Sequence, residues 1–323
     1  MIEKNGFIGN TPMVKINYEY NGKAGSVFTK LEYYNPTGSI KDRVAKYIVE
    51  NARKRGDLKE NMPIVEATSG NTGIALAALG SYYKHPVYIF MPDWASRERI
   101  QLMRSYGAQI FLFSKEDGGF IRCVEEAKKL SKEINGFLAD QFANEDNYLA
   151  HYETTGEEIL QQMPVKIGGF VSGVGTGGTL MGIGTRLKEE NEDMLITAIE
   201  PDKMPMLSGG EILGQHKIEG IGDDFIPDLI DMDKIDRIIQ INDDDAINMS
   251  RKIARDLGIG VGISSGANFI GSVVLLENEA DGAVVTVFAD DNKKYLSTEL
   301  TRDIDENTEF ISNKIQIVSY EEL

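Results

Sequence analysis

Two hydrophobic rhythms alternate along the chain. Short apolar runs at Met13–Ile16, Val27–Leu31, Pro63–Ala67, Val87–Met91, Ile110–Phe113 and Phe137–Asp140 predict strands. Gly169–Ser172, Leu195–Glu200, Arg237–Ile241 and Ala283–Phe288 predict further strands. Between these runs the apolar positions recur at helical spacing. Behind Lys41, for example, Val44, Ala45, Ile48, Val49 and Ala52 share one face. Helices are also predicted over Thr72–Tyr83, Arg97–Tyr106, Phe120–Glu133, Asn147–Gln162, Thr179–Glu190, Asp244–Leu257 and Gly266–Glu279. Such alternation implies parallel sheets covered by helices on both faces. The strands fall into two groups on either side of about residue 145. The expected architecture is therefore α/β: two doubly wound α/β domains with a central cleft, ligands sitting at the carboxyl ends of the strands. The acidic tail Asp303–Leu323 carries one apolar alternation, Ile315–Val318, and reads as an edge strand or a loose terminus.

The polar stretches at the strand–helix junctions carry the candidate chemistry. Asn35-Pro36-Thr37-Gly38 has turn composition, so Lys41 stands at the mouth of the helix that follows. A cation there faces the positive end of the helix dipole, which favours the neutral amine. A neutral lysine amine is a nucleophile toward an aldehyde. Thr68-Ser69-Gly70-Asn71-Thr72-Gly73 combines hydroxyls, an amide and free N–H groups at a helix N-terminus, which suits a carboxylate. Gly173-Val174-Gly175-Thr176-Gly177-Gly178-Thr179 lets backbone wrap a phosphate. A rival reading exists for this loop. Gly173, Gly175 and Gly178 fit the dinucleotide pattern, and Glu200 ends the next strand where a ribose-binding acid would stand. A nicotinamide enzyme, however, leaves Lys41 and the Thr68–Gly73 loop without a role. A phosphate-bearing aldehyde accounts for all three.

Composition removes other classes. The chain has 323 residues and no apolar run long enough for a membrane span. Its N-terminal residues lack the basic and apolar regions of a secretory leader. A net charge of −17 disfavours nucleic acid and anionic membranes as partners. His85, His151 and His216 are far apart and lack ligand spacing, so no metal is expected. Cys123 is the only cysteine, which excludes an intrachain disulfide and fits a cytoplasmic protein.

At this point the chain resembles the cysteine synthase and cystathionine β-synthase family, fold-type II pyridoxal-phosphate enzymes with a tryptophan synthase β-like fold. The matching stretches are Gly9-Asn10-Thr11-Pro12, Asn35–Arg43, Thr68–Gly73, Gly175–Thr179, Leu207-Ser208-Gly209-Gly210, Gly220-Ile221-Gly222, Ile263–Asn268 and Tyr295-Leu296-Ser297-Thr298. They keep the family's order through most of the chain.

The resemblance implies pyridoxal 5′-phosphate as cofactor and a homodimer. It implies a large domain of residues 1–34 and 146–323, and a small mobile domain of residues 35–145. Lys41 would hold the cofactor and, once freed, remove the Cα proton. Asn71 would bond the cofactor's 3′-oxygen, and Gly175, Thr176, Gly177, Gly178 and Thr179 would bind its phosphate. Thr68, Ser69, Asn71, Thr72 and Gln141 would hold the substrate carboxylate. The implied reaction is β-replacement on an amino acid of sulfur metabolism through an α-aminoacrylate.

Two departures from the family bear on the reaction. Asp291 aligns with a serine expected to face the pyridine nitrogen. Asp223 and Asp224 stand where dedicated O-acetylserine sulfhydrylases usually carry small residues. This acidic pair is expected to select the nucleophile and to favour release of sulfide from cysteine, with water or a thiol added. The alternatives are cysteine synthesis from O-acetylserine, serine-dependent cystathionine synthesis, and a catalytically idle paralogue that acts as a binding partner.

Overall fold

The computed structural model describes residues 6–302 and 309–323. Residues 1–5, read above for a leader, and residues 303–308 of the acidic tail lie outside the described residues.

The chain begins with β1 (Met13–Tyr20), β2 (Lys23–Leu31) and α1 (Lys41–Arg55). An alternating run follows: β3 (Ile64–Ala67), α2 (Asn71–Tyr83), β4 (Val87–Pro92), α3 (Arg97–Ser105), β5 (Gln109–Phe113), α4 (Gly119–Glu133) and β6 (Phe137–Leu138). Then come α5 (Glu145–Ala150), a π-helical turn (His151–Gly156) and α6 (Glu157–Gln162). The chain continues through β7 (Ile167–Gly173), α7 (Gly178–Lys188), β8 (Leu195–Pro201), β9 (Arg237–Ile241), α8 (Asp243–Leu257), α9 (Ile263–Asn278) and β10 (Ala283–Phe288). A short helix, α10 (Ile311–Lys314), leads into β11 (Ile315–Glu322).

Two sheets result. The smaller has the order β5-β4-β3-β6, all parallel. The larger has the order β11-β1-β2-β10-β7-β8-β9. Its strands from β2 through β10 and β7 to β9 are parallel. At the other edge the expectation of parallel sheets fails, because β1 runs antiparallel to both β2 and β11. The cause is local. Asn21-Gly22 joins β1 to β2 with φ values of 51° and 75°, the left-handed pair of a tight hairpin turn. The tail's apolar alternation becomes the edge strand β11.

Each sheet is packed on both faces. In the larger one, Val27, Val171 and Val284 join one core, while their sequence neighbours Phe28, Phe170 and Val285 join the other. Alternate strand side chains point to opposite faces, so both cores come from the same strands. Around the smaller sheet, the predicted α1 face of Val44, Ala45, Ile48, Val49 and Ala52 is fully buried against Ile74, Leu76 and Ile89.

The single helix expected over Asn147–Gln162 is one helical run interrupted by the π turn. The run lies hard against α7: a Cβ on Gly182 would lie 2.5 Å from the Tyr148 carbonyl oxygen of α5 and 3.0 Å from the Tyr152 nitrogen of the π turn. Widened turns of this kind are frequent at functional sites, and this one begins at the buried His151.

Candidate active site

Between the sheets lies a cavity of about 590 Å³. It opens where β3, β7 and β10 end, as the strand-end rule requires. Lys41, Thr68, Ser69, Asn71, Thr72, Gln141, Gly175, Thr176, Gly177, Thr179, Asp223 and Asp224 all line it. Loops distant in sequence therefore converge on Lys41.

Lys41 opens α1, with its backbone N–H donating to Ser39 Oγ at 3.3 Å. Burial is the main cause that lowers its ammonium from the usual lysine range to about 8, with Asp290 and Asp223 acting in opposition. Desolvation thus does the work that the sequence argument gave to the helix dipole.

The Thr68–Gly73 loop is braced from behind. Thr72 Oγ1 donates to Gln141 Oε1 at 2.5 Å, and Gln141 Nε2 donates to the Ala67 carbonyl at 3.2 Å. Behind both, the buried Glu66 carboxyl accepts from the backbone N–H groups of Ala67 and Gln141 at 2.8 and 3.2 Å. Burial raises the pKa of Glu66 to about 8. Its place in the brace had no signal in the sequence beyond an acid inside a strand.

The glycine loop is fixed by close approach. A Cβ at Gly175 would lie 2.4 Å from the Gly220 carbonyl oxygen, and one at Gly178 would lie 2.1 Å from Asn147 Oδ1. Gly178 therefore backs the loop instead of lining the cavity. Asn147 Nδ2 donates to Thr176 Oγ1 at 2.8 Å, and buried His151 reaches Thr179 Oγ1 through Nε2 at 3.2 Å. Burial, with Lys41 and Arg43 nearby, holds His151 well below the usual imidazole range, so it stays neutral. The dinucleotide reading fails on Glu200. Its carboxylate is buried and accepts from the N–H groups of Leu207 and Ser208 and from the Ser208 hydroxyl at 2.5 Å. Glu200 is not among the residues that line the cavity.

Asp291 stands elsewhere than expected. Its carboxylate caps the following turn, accepting from the Lys293 N–H at 3.0 Å, and it is not among the residues that line the cavity. The residue on the wall is Asp290, buried to 1% exposure. The physical reason is the extended backbone: Asp290 bridges to Ser39 and Asp291 to Val261, so consecutive side chains point opposite ways. Asp290 Oδ2 accepts from Asn71 Nδ2 at 2.8 Å and from the Tyr295 hydroxyl at 2.7 Å. Its Oδ1 and Asn71 Oδ1 are buried without partners. Ser264 at the start of α9 and Asn268 also line the wall. Both fall in the Ile263–Asn268 stretch, whose sequence carried the resemblance but no assigned role.

Asp223 and Asp224 sit on a loop whose turn at Gly222 has φ 75°. His216 Nε2 meets the Gly222 carbonyl oxygen at 2.7 Å and pins that turn. Burial, reinforced by the neighbouring Asp224 charge, raises Asp223 to about 6, and Lys41 acts in opposition. Cys123 is remote from this chemistry. Its thiol is buried and pushed up to about 12. Among the described residues no group of side chains could hold a metal ion, and no helix is long and apolar enough to cross a membrane.

The arrangement fits a phosphate-bearing aldehyde. A buried amine of lowered pKa, a glycine cradle at a helix N-terminus and unpartnered polar atoms on Asn71 and Asp290 meet in one cavity. Comparison with known proteins agrees. Residues 4–290 match the family of pyridoxal-phosphate dependent enzymes. A cysteine synthase of Staphylococcus aureus is 42% identical over 295 residues, covering 91% of this chain and 94% of the relative. A hydrogen sulfide-producing enzyme from Fusobacterium nucleatum superposes with a TM-score of 0.93 at 48% identity, over 97% of this chain and 95% of that one. A cysteine synthase from Entamoeba histolytica gives 0.87 at 38% identity, over 97% and 95%. The chain belongs to the cysteine synthase-like, fold-type II branch of the pyridoxal-phosphate dependent enzymes.

Proposed function

We propose that this protein, a pyridoxal-phosphate enzyme of β-replacement in sulfur amino-acid metabolism, consumes cysteine, releases sulfide and adds water or a thiol at Cβ. The observation that carries this reading is the placement of Asp223 and Asp224 on the same cavity wall as Lys41. Carboxylates beside the reacting carbon disfavour an incoming hydrosulfide anion by like-charge repulsion. They favour an acceptor whose reacting O–H or S–H is neutral and whose proton they can take. The hydrogen sulfide-producing relative supports the same direction.

The roles follow from the geometry. Pyridoxal phosphate, bound, supplies the electron sink for the electron pair left at Cα. Lys41 holds the group and takes the Cα proton, and its low pKa makes a neutral amine available near neutral pH. Gly175, Thr176, Gly177 and Thr179 hold the phosphate, and Gly178 backs their loop. Thr68, Ser69, Thr72 and Gln141 hold the substrate carboxylate. Asn71, oriented by Asp290, would bond the cofactor's 3′-oxygen. Asp223, with Asp224 beside it, accepts the proton of the incoming acceptor.

Residues 35–145 form the lobe that closes over the substrate, against a body made of residues 1–34 and 146–323. A homodimer and a cytoplasmic location complete the reading, on the strength of the resemblance and the single cysteine.

A product assay tests it. Cysteine, serine and O-acetylserine are each supplied with and without sulfide or a thiol. Sulfide release from cysteine with no added sulfide supports the reading. Faster conversion of O-acetylserine plus sulfide to cysteine overturns the direction. Absence of any turnover returns the idle paralogue.

A further inference from the structure

Besides Lys41, three cations line the cavity: Arg99, Lys115 and Lys217. Arg99 is ion-paired with Glu219, and Lys217 with Asp244. Lys115 makes no ion pair with a carboxylate among the described residues. The adjacent acid Asp117 is engaged elsewhere, accepting from the Ser114 hydroxyl at 2.8 Å, and Glu116 also bonds Ser114. The Lys115 ammonium instead donates to Gln215 Oε1 at 2.6 Å and lies 5.4 Å from the centre of the Trp94 ring.

Lys115 acts on the neighbouring Glu116 without forming an ion pair with it, and a cavity cation with no paired carboxylate stands out on a chain of net charge −17. It is set on an apolar wall. Trp94 is 48% exposed and Ile121 58% exposed, and with Phe120 and Phe142 they line the same cavity. Gln215 belongs to the segment between β8 and β9, whereas Trp94 and Lys115 follow β4 and β5. The wall is therefore assembled from both lobes. The cofactor cradle, the carboxylate loop and Lys41 use none of these residues.

We propose that this wall is an acceptor subsite for an organic thiol that carries a carboxylate on a short apolar stem. Lys115 and the Gln215 amide take the carboxylate, Trp94 and Ile121 cover the stem, and the sulfur points inward to the reacting carbon. The inference rests on the β-replacement reading and names its acceptor. The exchange is balanced without an oxidant or reductant. The Cβ–S bond of cysteine breaks and hydrosulfide leaves. The incoming sulfur bonds Cβ, and its proton ends on the hydrosulfide, so the products are a thioether amino acid and hydrogen sulfide.

The test uses the holoenzyme with cysteine and either 3-mercaptopropionate or 2-mercaptoethanol, which differ in the carboxylate. Thioether is read by mass spectrometry and sulfide by colorimetry. The wild type should show a KM for 3-mercaptopropionate about fivefold below that for 2-mercaptoethanol, a preference that shrinks with added salt. Lys115→Ala should bring the ratio of the two KM values to about one, and Lys115→Glu should invert it. Trp94→Ala should raise both KM values. Equal KM values in the wild type, a ratio that neither Lys115 variant moves, or no thioether from either thiol would overturn the subsite while sulfide release from cysteine continued. No sulfide from cysteine with any acceptor would remove the β-replacement reading and the subsite with it.

Discussion

Asp223–Asp224 and Asp290–Asp291 are both adjacent acidic pairs near the cleft, yet only the first presents both carboxylates to the cavity. The second pair lies in extended backbone held by two bridges, where alternation sends Asp290 in and Asp291 out. The first follows a left-handed turn at Gly222, which frees its two residues from that alternation. Their environments differ as well. Asp290 is saturated on one oxygen by Asn71 and Tyr295. Asp223 has its charge disfavoured by burial and by Asp224. A carboxylate with fixed donors is suited to hold a geometry. One whose proton is easily gained or lost is suited to move a proton. One carboxylate of each pair, Asp290 and Asp223, acts on Lys41, which is what makes the comparison one about function.

The largest effect is expected on removing what both pairs face. Lys41→Ala should lose the visible absorbance of the bound cofactor and at least about a thousandfold in turnover, measured by spectrum and sulfide release. Next comes Asp290→Ala, which strands the Asn71 amide and the Tyr295 hydroxyl. Each buried donor left unpaired costs about 1–3 kcal/mol, so denaturant unfolding should show a clear loss, with weaker cofactor retention. Third, Asp223→Asn should keep the cofactor spectrum but lose most transfer to water. The pH profile carries the sign: the Asp223 carboxylate forms above about 6 and the neutral Lys41 amine above about 8. The wild-type rate should therefore rise through both, and the variant should lack the lower rise.

The same shift governs stability. The folded pKa of Asp223 lies above the unfolded value, so burial costs stability progressively as pH climbs from about 4 to 6. Cofactor-free Asp223→Asn should be more stable than wild type above pH 6, by up to roughly 3 kcal/mol, and equal to it below about pH 4. The smallest effect belongs to Asp291→Ser, which keeps a capping oxygen for the Lys293 N–H. An unchanged cofactor spectrum and a stability change within about 0.5 kcal/mol are expected. A large spectral change would put Asp291 back against the ring and dissolve the contrast with Asp290.

Much of this was legible beforehand, for identifiable reasons. Strand and helix periodicity gave the alternation, and most of the glycine loop and the Thr68–Thr72 loop line the cavity as their composition implied. What the sequence hid was of two kinds. The antiparallel pair β1-β2 depended on a hairpin at Asn21-Gly22, a short signal lost beside the longer βα pattern, and β11 joins it only through long-range pairing. The Asp290–Asp291 assignment depended on which of two neighbours points inward, and a one-residue slip reverses every side chain in extended backbone. Glu66 and His151 act through Gln141 and Thr179, far away in sequence, and Glu200 through the nearby loop at Leu207 and Ser208. Their roles become visible only once the chain is folded.

The measurement that bears most directly on the account is stoichiometry with cysteine alone. Wild type and Asp223→Asn are incubated with cysteine, and sulfide and serine are quantified together. The account predicts sulfide from the wild type equal to the sum of serine and any thioether formed with a second cysteine, and a variant in which serine formation collapses while the cofactor spectrum still responds to cysteine. Serine formed at the wild-type rate by the variant would contradict it, because the acidic pair would then have no part in delivering the acceptor.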